Sequence, residues 1–463
     1  FFIMNQQKDI IRDARVLGTP KMLLLGLQHM FAMFGATILV PILVNSYFQS
    51  TSQVLSVQVT LFCAGFGTLF FHLCTKFKVP AFLGSSFAFL GGFSSVAALD
   101  TGIFANMADK EKLQYACGGI VVAGLLYLIL ALIIRCVGVK RVMRFLPPVV
   151  TGPIIICIGL SLAPSAVSNA STNWLIAIVA LAVIIIFNIW GKGMFKIIPI
   201  LLGVVISYVF ALILQGLGFT NPDGSVILNF SGVSSAAVVG LPPFILPKFN
   251  LTAILIMAPI AIATMMEHVG DMSAISATVG KNYIEDPGLH RTLLGDGLAT
   301  TMAALFGAPA NTTYGENTGV LALTRVYNPA VVRMAAVLAV VFSFCPKFAE
   351  LIHCMPAATI GGVSLILYGM ISAVGVRNVV ENQVDFAKSR NVIIAAVIMS
   401  LALGINFSNA GAIVFTVGQV TISLSGLAVA SLVGILLNAV LPGNDYVFGV
   451  SVEGDKSADL GSY

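Results

Sequence analysis

Charged residues are scarce in this sequence of 463 residues. Asp, Glu, Lys and Arg make up 9% of the chain, whereas 58% is hydrophobic and the mean hydropathy is +0.99. An ordinary soluble domain has about 25% charged residues, and a soluble chain of this size could not cover its surface with so few. This scarcity excludes a soluble enzyme, a disordered chain and a nucleic-acid-binding protein, whose basic residues would gather in a patch.

Several other features are also lacking. The chain has no ten-residue strands of alternating polarity, which excludes an outer-membrane barrel. It has no nucleophile, metal or phosphate-loop motif, so we expect neither an enzyme nor a cofactor or metal site. Its seven cysteines form no CxxC pair and lie mostly in or beside apolar runs, where they are interpreted as small apolar fillers.

Long apolar runs are what the sequence does contain. A membrane-spanning helix needs about 20 apolar residues, and fourteen stretches fit that description. They are residues 22–44, 53–75, 80–98, 115–135, 146–166, 173–190, 197–215, 250–271, 289–307, 311–327, 330–350, 357–376, 391–407 and 419–441. The fold class is therefore predicted to be an all-α polytopic membrane protein.

The basic residues predict the orientation of these segments. Lys and Arg concentrate on the cytoplasmic side of membrane proteins. With the N-terminus inside, twenty of the 24 basic residues fall on the cytoplasmic side, and four fall outside: Lys110, Lys112, Lys248 and Lys347. One span more or fewer in either half would scramble this division, so we expect an even total with both termini in the cytoplasm.

The chain also shows signs of internal duplication. Residues 216–249 are rich in Gly, Pro, Ser and Val and divide the fourteen segments into seven plus seven, and an odd-numbered repeat is inverted in the membrane. The third and tenth segments each contain a run poor in helix formers, at 84–89 and 311–317. Paired interrupted spans predict a binding site near the midplane, where freed backbone groups can meet a ligand.

A few acidic residues fall inside predicted spans. Glu267, Asp271 and Glu316 lie deep, and Asp296 lies less deep. Carboxylates there are costly and are functional candidates by default. Because Glu267 and Asp271 are four residues apart, they share one helix face, and their mutual repulsion favours protonation of one of them. The alternative is a hydrogen-bonded pair that only joins helices, and for Asp296 such a structural role is preferred.

Two histidines lie beside polar or acidic neighbours within the spans. His29, next to Gln28, is either a polar tether between helices or part of a proton or substrate network. His268 follows Glu267 but points about 100° away around the helix, so packing is the favoured interpretation. A site with carboxylates, freed backbone amides and aromatic rings suits a planar neutral ligand with alternating N–H and C=O groups.

Six motifs resemble the nucleobase–ascorbate transporter family, and within it the bacterial uracil permeases. They are Gln28-His29-Met30-Phe31-Ala32-Met33-Phe34-Gly35-Ala36-Thr37, Val79-Pro80-Ala81-Phe82-Leu83-Gly84-Ser85-Ser86-Phe87-Ala88-Phe89, Glu267-His268-Val269-Gly270, Asp286-Pro287-Gly288-Leu289-His290-Arg291, Asn311-Thr312-Thr313-Tyr314-Gly315-Glu316-Asn317-Thr318-Gly319-Val320 and Gly361-Gly362-Val363-Ser364-Leu365-Ile366-Leu367-Tyr368-Gly369. The resemblance runs from about Leu23 to Arg390.

The resemblance implies fourteen spans in two inverted repeats of seven, with a short β-strand in each of segments three and ten. A core domain would hold segments one to four and eight to eleven, and a gate domain would hold the others. The expected divisions are core 22–135, gate 146–215, an extracellular linker 216–249, core 250–350 and gate 357–441.

The resemblance also implies roles for individual residues. The substrate-binding set would be Glu267, Glu316, Phe87, Gly315, Tyr314, Ala36 and Tyr368, and the proton-coupling set would be Glu267, Asp271 and His29. Purine-transporting relatives commonly have Gln-Asn where this chain has Glu316-Asn317, which favours a pyrimidine. Some uracil permeases carry His in place of Asp271, which leaves open the group that passes the proton to Glu267.

The expected function is a proton-coupled symporter that imports uracil across the cytoplasmic membrane by alternating access. Two alternatives remain open from the sequence: a purine or xanthine symporter of the same family, and an anion transporter of related architecture. The expected partners are a nucleobase, protons, membrane lipid and, by resemblance, a second copy in a homodimer, with no nucleic acid.

Overall fold

The computed structural model describes residues 10–13, 16, 18–48, 54–100, 102–192, 194–409, 411–417, 420–444 and 446, and most of them are helical. The helices of the first half are α1 (Gly18–Tyr47), α2 (Val57–Cys74), α3 (Leu90–Ala97), α4 (Asp109–Val137), α5 (Val139–Met143), α6 (Pro148–Ser171), α7 (Trp174–Ile189), α8 (Met194–Ile197) and α9 (Pro199–Gly216). Those of the second half are α10 (Ser231–Ser235), α11 (Leu251–Met257), α12 (Ile260–Val279), α13 (Leu289–Leu305), α14 (Gly315–Thr324), α15 (Pro329–Ser343), α16 (Pro346–His353), α17 (Ala357–Glu381), α18 (Ser389–Asn406) and α19 (Gly426–Val440).

Two pairs of antiparallel strands accompany the helices. The strands are β1 (Leu83–Ser85), β2 (Asn311–Thr313), β3 (Ala412–Val417) and β4 (Val420–Ser425). β1 pairs with β2, and β3 pairs with β4. The first pair confirms that the third and tenth predicted segments each contain a short strand, and it joins the two halves of the chain in the interior.

Many helices have the length and composition of membrane spans. Within the described residues, eight helical stretches are long and apolar enough to cross a bilayer, and the bent pair α15–α16 would make nine. Shorter apolar helices cover Phe87–Ala97, Trp174–Ile189 and Gly426–Val440. Each of the fourteen predicted segments contains a helix, while the number of crossings and the inverted repeat remain predictions.

Helix α7 shows how the molecule faces lipid. It exposes Ile178, Ile185 and Ile189 along one side and buries Ile176 and Ile184 on the other. A row of large exposed apolar side chains is unfavourable in water, but it matches the hydrocarbon of a bilayer. The scarcity of charge in the sequence is thus explained by a surface that contacts lipid.

Two predicted spans differ from the structure. The span 330–350 is divided into α15 and α16, which are bent by 88°, because Cys345 precedes Pro346 and such a residue is disfavoured in helical conformation. The span 419–441 begins as strand β4, and its helix starts only at Gly426. The alternating Val, Thr, Ile and Ser of β4 favour a strand paired with β3.

The packing of α6 against α17 sets the back wall of the site described below. A Cβ built on Gly159 of α6 would lie 2.2 Å from the carbonyl oxygen of Tyr368, so glycine permits the two backbones to touch. The hydroxyl of Ser372 also donates to the carbonyl of Ile156 at 3.0 Å. Small residues commonly allow such close helix contact in membranes, and here they hold Tyr368 firmly in the interior.

Candidate functional site

The paired strands β1 and β2 form the centre of the candidate site. Leu83 lies opposite Thr313, and Ser85 lies opposite Asn311. The backbone pairing continues on both sides of the strands, where Tyr314 N donates to Phe82 O at 2.9 Å and Ser86 N donates to Ala310 O at 2.8 Å. The two interrupted segments therefore satisfy part of their backbone by pairing with each other, as buried polar groups require.

A helix starts directly after each strand. A 3-10 helix covers Phe87–Phe89 and leads into α3, and α14 begins at Gly315. Neither Ser86 nor Tyr314 caps its helix through its side chain. The first N–H groups of a helix have no partner within the helix and carry partial positive charge. Two sets of backbone donors thus converge near the strand ends and could bind ligand carbonyl groups.

Tyr314 is held in place against β1. Its hydroxyl donates to the carbonyl of Ser85 at 2.9 Å, and its ring passes so close to Gly84 that a Cβ there would lie 2.3 Å from Tyr314 Cζ. Tyr314 is 4% exposed. The glycine in β1 is therefore needed to seat the tyrosine ring across the strand pair.

A cavity of about 390 Å³ lies beside these strands, and we refer to it as the inner cavity. Five of the residues predicted to form the site line it: Phe87, Glu267, Asp271, Tyr314 and Gly315. The spacing argument for the shared helix face of Glu267 and Asp271 agrees with this placement on α12. The inner cavity combines two carboxylates, two aromatic rings and the start of α14.

Two other predicted residues, Ala36 and Tyr368, lie next to residues that line the inner cavity. Ala36 and Tyr368 are buried and are not among its lining residues. Tyr368 contacts the lining residue Phe87 edge to face, with ring centroids 5.7 Å apart. Ala36 lies one helical turn beyond Ala32, which does line the cavity. Their contribution to the site is therefore indirect in this structure.

His29 ties α1 to α14. The side-chain amide of Asn317 donates to His29 Nδ1 at 3.2 Å and to the His29 carbonyl at 2.9 Å. An amide N–H₂ group can only donate, so Nδ1 accepts and the imidazole proton resides on Nε2. This geometry agrees with the tether interpretation of His29. Residue 316 starts the same helix, but the side chain of Glu316 lies outside the described part of the structure.

A buried network behind the strands was not anticipated from the sequence. His268 Nδ1 lies 3.1 Å from Thr313 Oγ1 and 3.1 Å from a carboxylate oxygen of Asp296, and both His268 and Asp296 are fully buried. The network joins α12, α13 and β2. Successive helix residues point about 100° apart, so anchoring His268 to α13 directs its neighbour Glu267 toward the inner cavity.

Two basic residues also line the inner cavity without having been predicted as site residues. Lys196 and Arg377 lie near the start of α9 and the end of α17, and Arg377 is paired with Glu381. Both belong to the basic residues that the sequence assigns to the cytoplasmic side. Their presence among the lining residues was not detectable from spacing, because they come from separate helices.

Comparison with known proteins gives one consistent result. The xanthine–uracil permease family model, described as "Permease family", matches residues 20–411. A uracil permease of Bacillus caldolyticus is 39% identical over 455 residues, covering 95% of this chain and 96% of the relative. A uracil permease of Bacillus subtilis (strain 168) is 41% identical over 436 residues, covering 90% of this chain and 92% of the relative.

Solved structures match at the level of the fold. The transmembrane domain of the cyanobacterial bicarbonate transporter BicA aligns with a TM-score of 0.60 at 15% identity, covering 93% of this chain and all of that domain. The structure of SLC26A9 aligns with a TM-score of 0.63 at 12% identity, covering 92% of this chain and 66% of its own. At such low identity the likeness concerns the architecture of a membrane transporter.

Proposed function

We propose that this chain, which belongs to the nucleobase–ascorbate transporter family, is a proton-coupled symporter that imports uracil across the cytoplasmic membrane. One observation carries the proposal: Glu267 and Asp271 line a cavity at which a helix begins directly after each of two paired strands. Carboxylates accept hydrogen bonds from ring N–H groups, and helix N-termini donate to ring carbonyls. The relatives named uracil permeases support the same substrate.

In the proposed complex, uracil lies in the inner cavity between the strand ends. Glu267 and Glu316 accept from its N–H groups, and the backbone at Phe87 and Gly315 faces its carbonyls. The ring of Tyr314 supplies a flat apolar surface. Ala36 and Tyr368 support the aromatic wall from behind, and His29 holds the start of α14 through Asn317.

Proton coupling is proposed to act through Glu267 and Asp271. A charged carboxylate at membrane depth is costly, and two on one helix face repel each other. An incoming proton relieves that cost and allows the ligand to bind beside the neutral group. Loss of the proton to the cytoplasm restores the repulsion and weakens binding. Substrate and proton movement are linked in this way without any covalent step.

Transport is proposed to follow alternating access between two bodies. The core would comprise 22–135 and 250–350, and the gate would comprise 146–215 and 357–441. The strand pair β1–β2 belongs entirely to the core, whereas α9 and α17, which line the other wall of the inner cavity, belong to the gate. Relative motion of the two bodies would thus open and close the site without breaking the strand pair.

Uptake into proteoliposomes tests the proposal. With an inward proton gradient, labelled uracil should accumulate in vesicles carrying the unaltered chain, and Glu267→Gln should abolish accumulation. The half-buried residue Glu350 in the middle of α16 provides a matched control, since Glu350→Gln removes an acid that does not line the cavity. Normal uphill uptake by Glu267→Gln, or accumulation of xanthine in preference to uracil, would overturn the assignment.

A further inference from the structure

A second cavity, of about 160 Å³, adjoins the site and is called here the outer cavity. Phe87 lines both cavities, and no other described residue does. The polar side chains that line the outer cavity are Tyr47, Ser94, Ser161, Ser165, Asn406 and Ser425. The Phe87 side chain, with Tyr368 packed edge to face against it, therefore separates two distinct spaces.

The two cavities lie toward opposite sides of the membrane in the predicted orientation. Tyr47 ends α1, Asn406 ends α18 and Ser425 precedes α19, and these are all outer ends. Lys196 and Arg377, which line the inner cavity, lie at inner ends. The outer cavity is accordingly the space on the extracellular side of Phe87.

The outer cavity offers uncharged hydrogen-bonding groups, and several of them are acceptors. Ser161 and Ser165 donate their hydroxyl protons to the carbonyls of Ile158 and Leu162, at 2.9 and 2.7 Å, which leaves their oxygen lone pairs as acceptors. Asn406 donates its amide N–H₂ to Ser161 O at 3.2 Å, so its side-chain oxygen remains as an acceptor. No acidic, basic or histidine side chain is among the described lining residues.

Two buried hydroxyls adjoin this lining. Tyr368 is 1% exposed, and its hydroxyl lies beside those of Ser165 and Ser364. The hydroxyls of Tyr368 and Ser364 lie near each other, but within the described residues neither has a hydrogen bond that meets the standard geometric criteria. Buried hydroxyls of this kind are costly unless a partner reaches them. The polar partners within reach of the Tyr368 hydroxyl are the hydroxyls of Ser364 and of Ser165, which lines the outer cavity.

We propose that the outer cavity is a separate binding station for a neutral, planar nucleobase before it passes Phe87. This inference rests on the proposed function and extends it. Acceptor oxygens on Ser161, Ser165 and Asn406 suit the ring N–H groups of a neutral ligand, and the hydroxyls of Tyr47, Ser94 and Ser425 can donate to its ring carbonyls. The carboxylates lie only on the inner side of Phe87, so the ligand is first held without proton exchange and meets the coupling groups in a second step.

A steric variant tests the station. A Cβ at Gly91, which lines the outer cavity, meets nothing within 4 Å, and the same is true of Gly404, which lines neither cavity. Gly91→Leu should lower the initial rate of uracil uptake from outside at least tenfold. The Kd of the inner site, measured by calorimetry on the solubilised protein, should stay within twofold. Gly404→Leu is the matched control and should change neither quantity.

Other results from these variants would overturn the inference. Unchanged uptake by Gly91→Leu would mean that the outer cavity is a void rather than a station. A Kd that rises in parallel with the loss of uptake would mean that the two cavities are not separate sites.

A second experiment does not depend on transport. Ser94→Cys, in a Glu267→Ala background that disables the inner site, is treated from outside with a membrane-impermeant thiol reagent. Uracil should slow the modification at least threefold, measured against the same background lacking Ser94→Cys. Absence of protection would overturn the station. Failure of the unaltered chain to take up uracil would overturn the proposed function instead, so the two failures are distinguishable.

Discussion

Gly84 provides a direct test of how the strand pair seats Tyr314. A Cβ at Gly84 would lie 2.3 Å from Tyr314 Cζ and 2.8 Å from Thr37 Oγ1, far inside ordinary contact distance. Turning the tyrosine away would also break the hydrogen bond from its hydroxyl to Ser85 O at 2.9 Å. Gly84→Ala must therefore displace the ring or open the strand pair, and either change moves the aromatic wall of the inner cavity.

The size of the effect follows from the cost of overpacking. An extra methyl group in a packed interior costs about 1–3 kcal/mol. If the ring moves out of the site to relieve the clash, binding of uracil must return the ring to its clashing position. The binding free energy of uracil is then weakened by the same amount. Since a tenfold change in affinity corresponds to about 1.4 kcal/mol, the Kd for uracil should rise roughly five- to 150-fold.

Isothermal titration of the purified protein measures this change. Gly404→Ala is the matched control, because nothing lies within 4 Å of a Cβ at that position, and its Kd should equal that of the unaltered chain. In a Tyr314→Ala background, adding Gly84→Ala should lower the melting temperature less than it does alone, since the clashing ring is gone. A Kd within twofold for Gly84→Ala would refute the reasoning.

Two further predictions concern the buried polar contacts. Asp296→Ala should destabilise the fold by about 3–5 kcal/mol, because it leaves His268 without its buried acidic partner. The control Asp286→Ala, which removes an exposed ion pair with Lys78, should cost at most about 1 kcal/mol. Equal melting temperatures for the two variants would contradict this prediction. Asn317→Ala should cost about 1–3 kcal/mol by leaving the His29 acceptors unsatisfied, and an unchanged melting temperature in thermal-shift measurements would show that the tether has no energetic role.

The sequence predicted the centre of the site because its signals are local. Runs poor in helix formers at 84–89 and 311–317 marked the interrupted segments, and the structure joins them through β1 and β2. The four-residue spacing of Glu267 and Asp271 indicated a shared face, and both line the inner cavity. Each of these inferences uses only the composition or the residue spacing within one segment.

The contacts that were missed all join separate elements. His268 does point away from the cavity, as its angular position predicts, but its contacts with Asp296 and Thr313 come from α13 and β2. No spacing rule relates residues that are 28 or 45 positions apart. For the same reason, the start of α19 was placed too early, because strand β4 exists only through its pairing with β3.

Sequence and structure together also indicate from which side of the membrane the site is accessible. The basic residues set the predicted orientation, and the fold places the cavities relative to them. The inner cavity is lined by Lys196 and Arg377, whose sequence positions favour the cytoplasm. The contact between the rings of Phe87 and Tyr368 lies on its other, extracellular side. In that orientation, we expect a proton on Glu267 to exchange with the cytoplasm and not with the outside, which is the arrangement that substrate release requires of the proposed symporter.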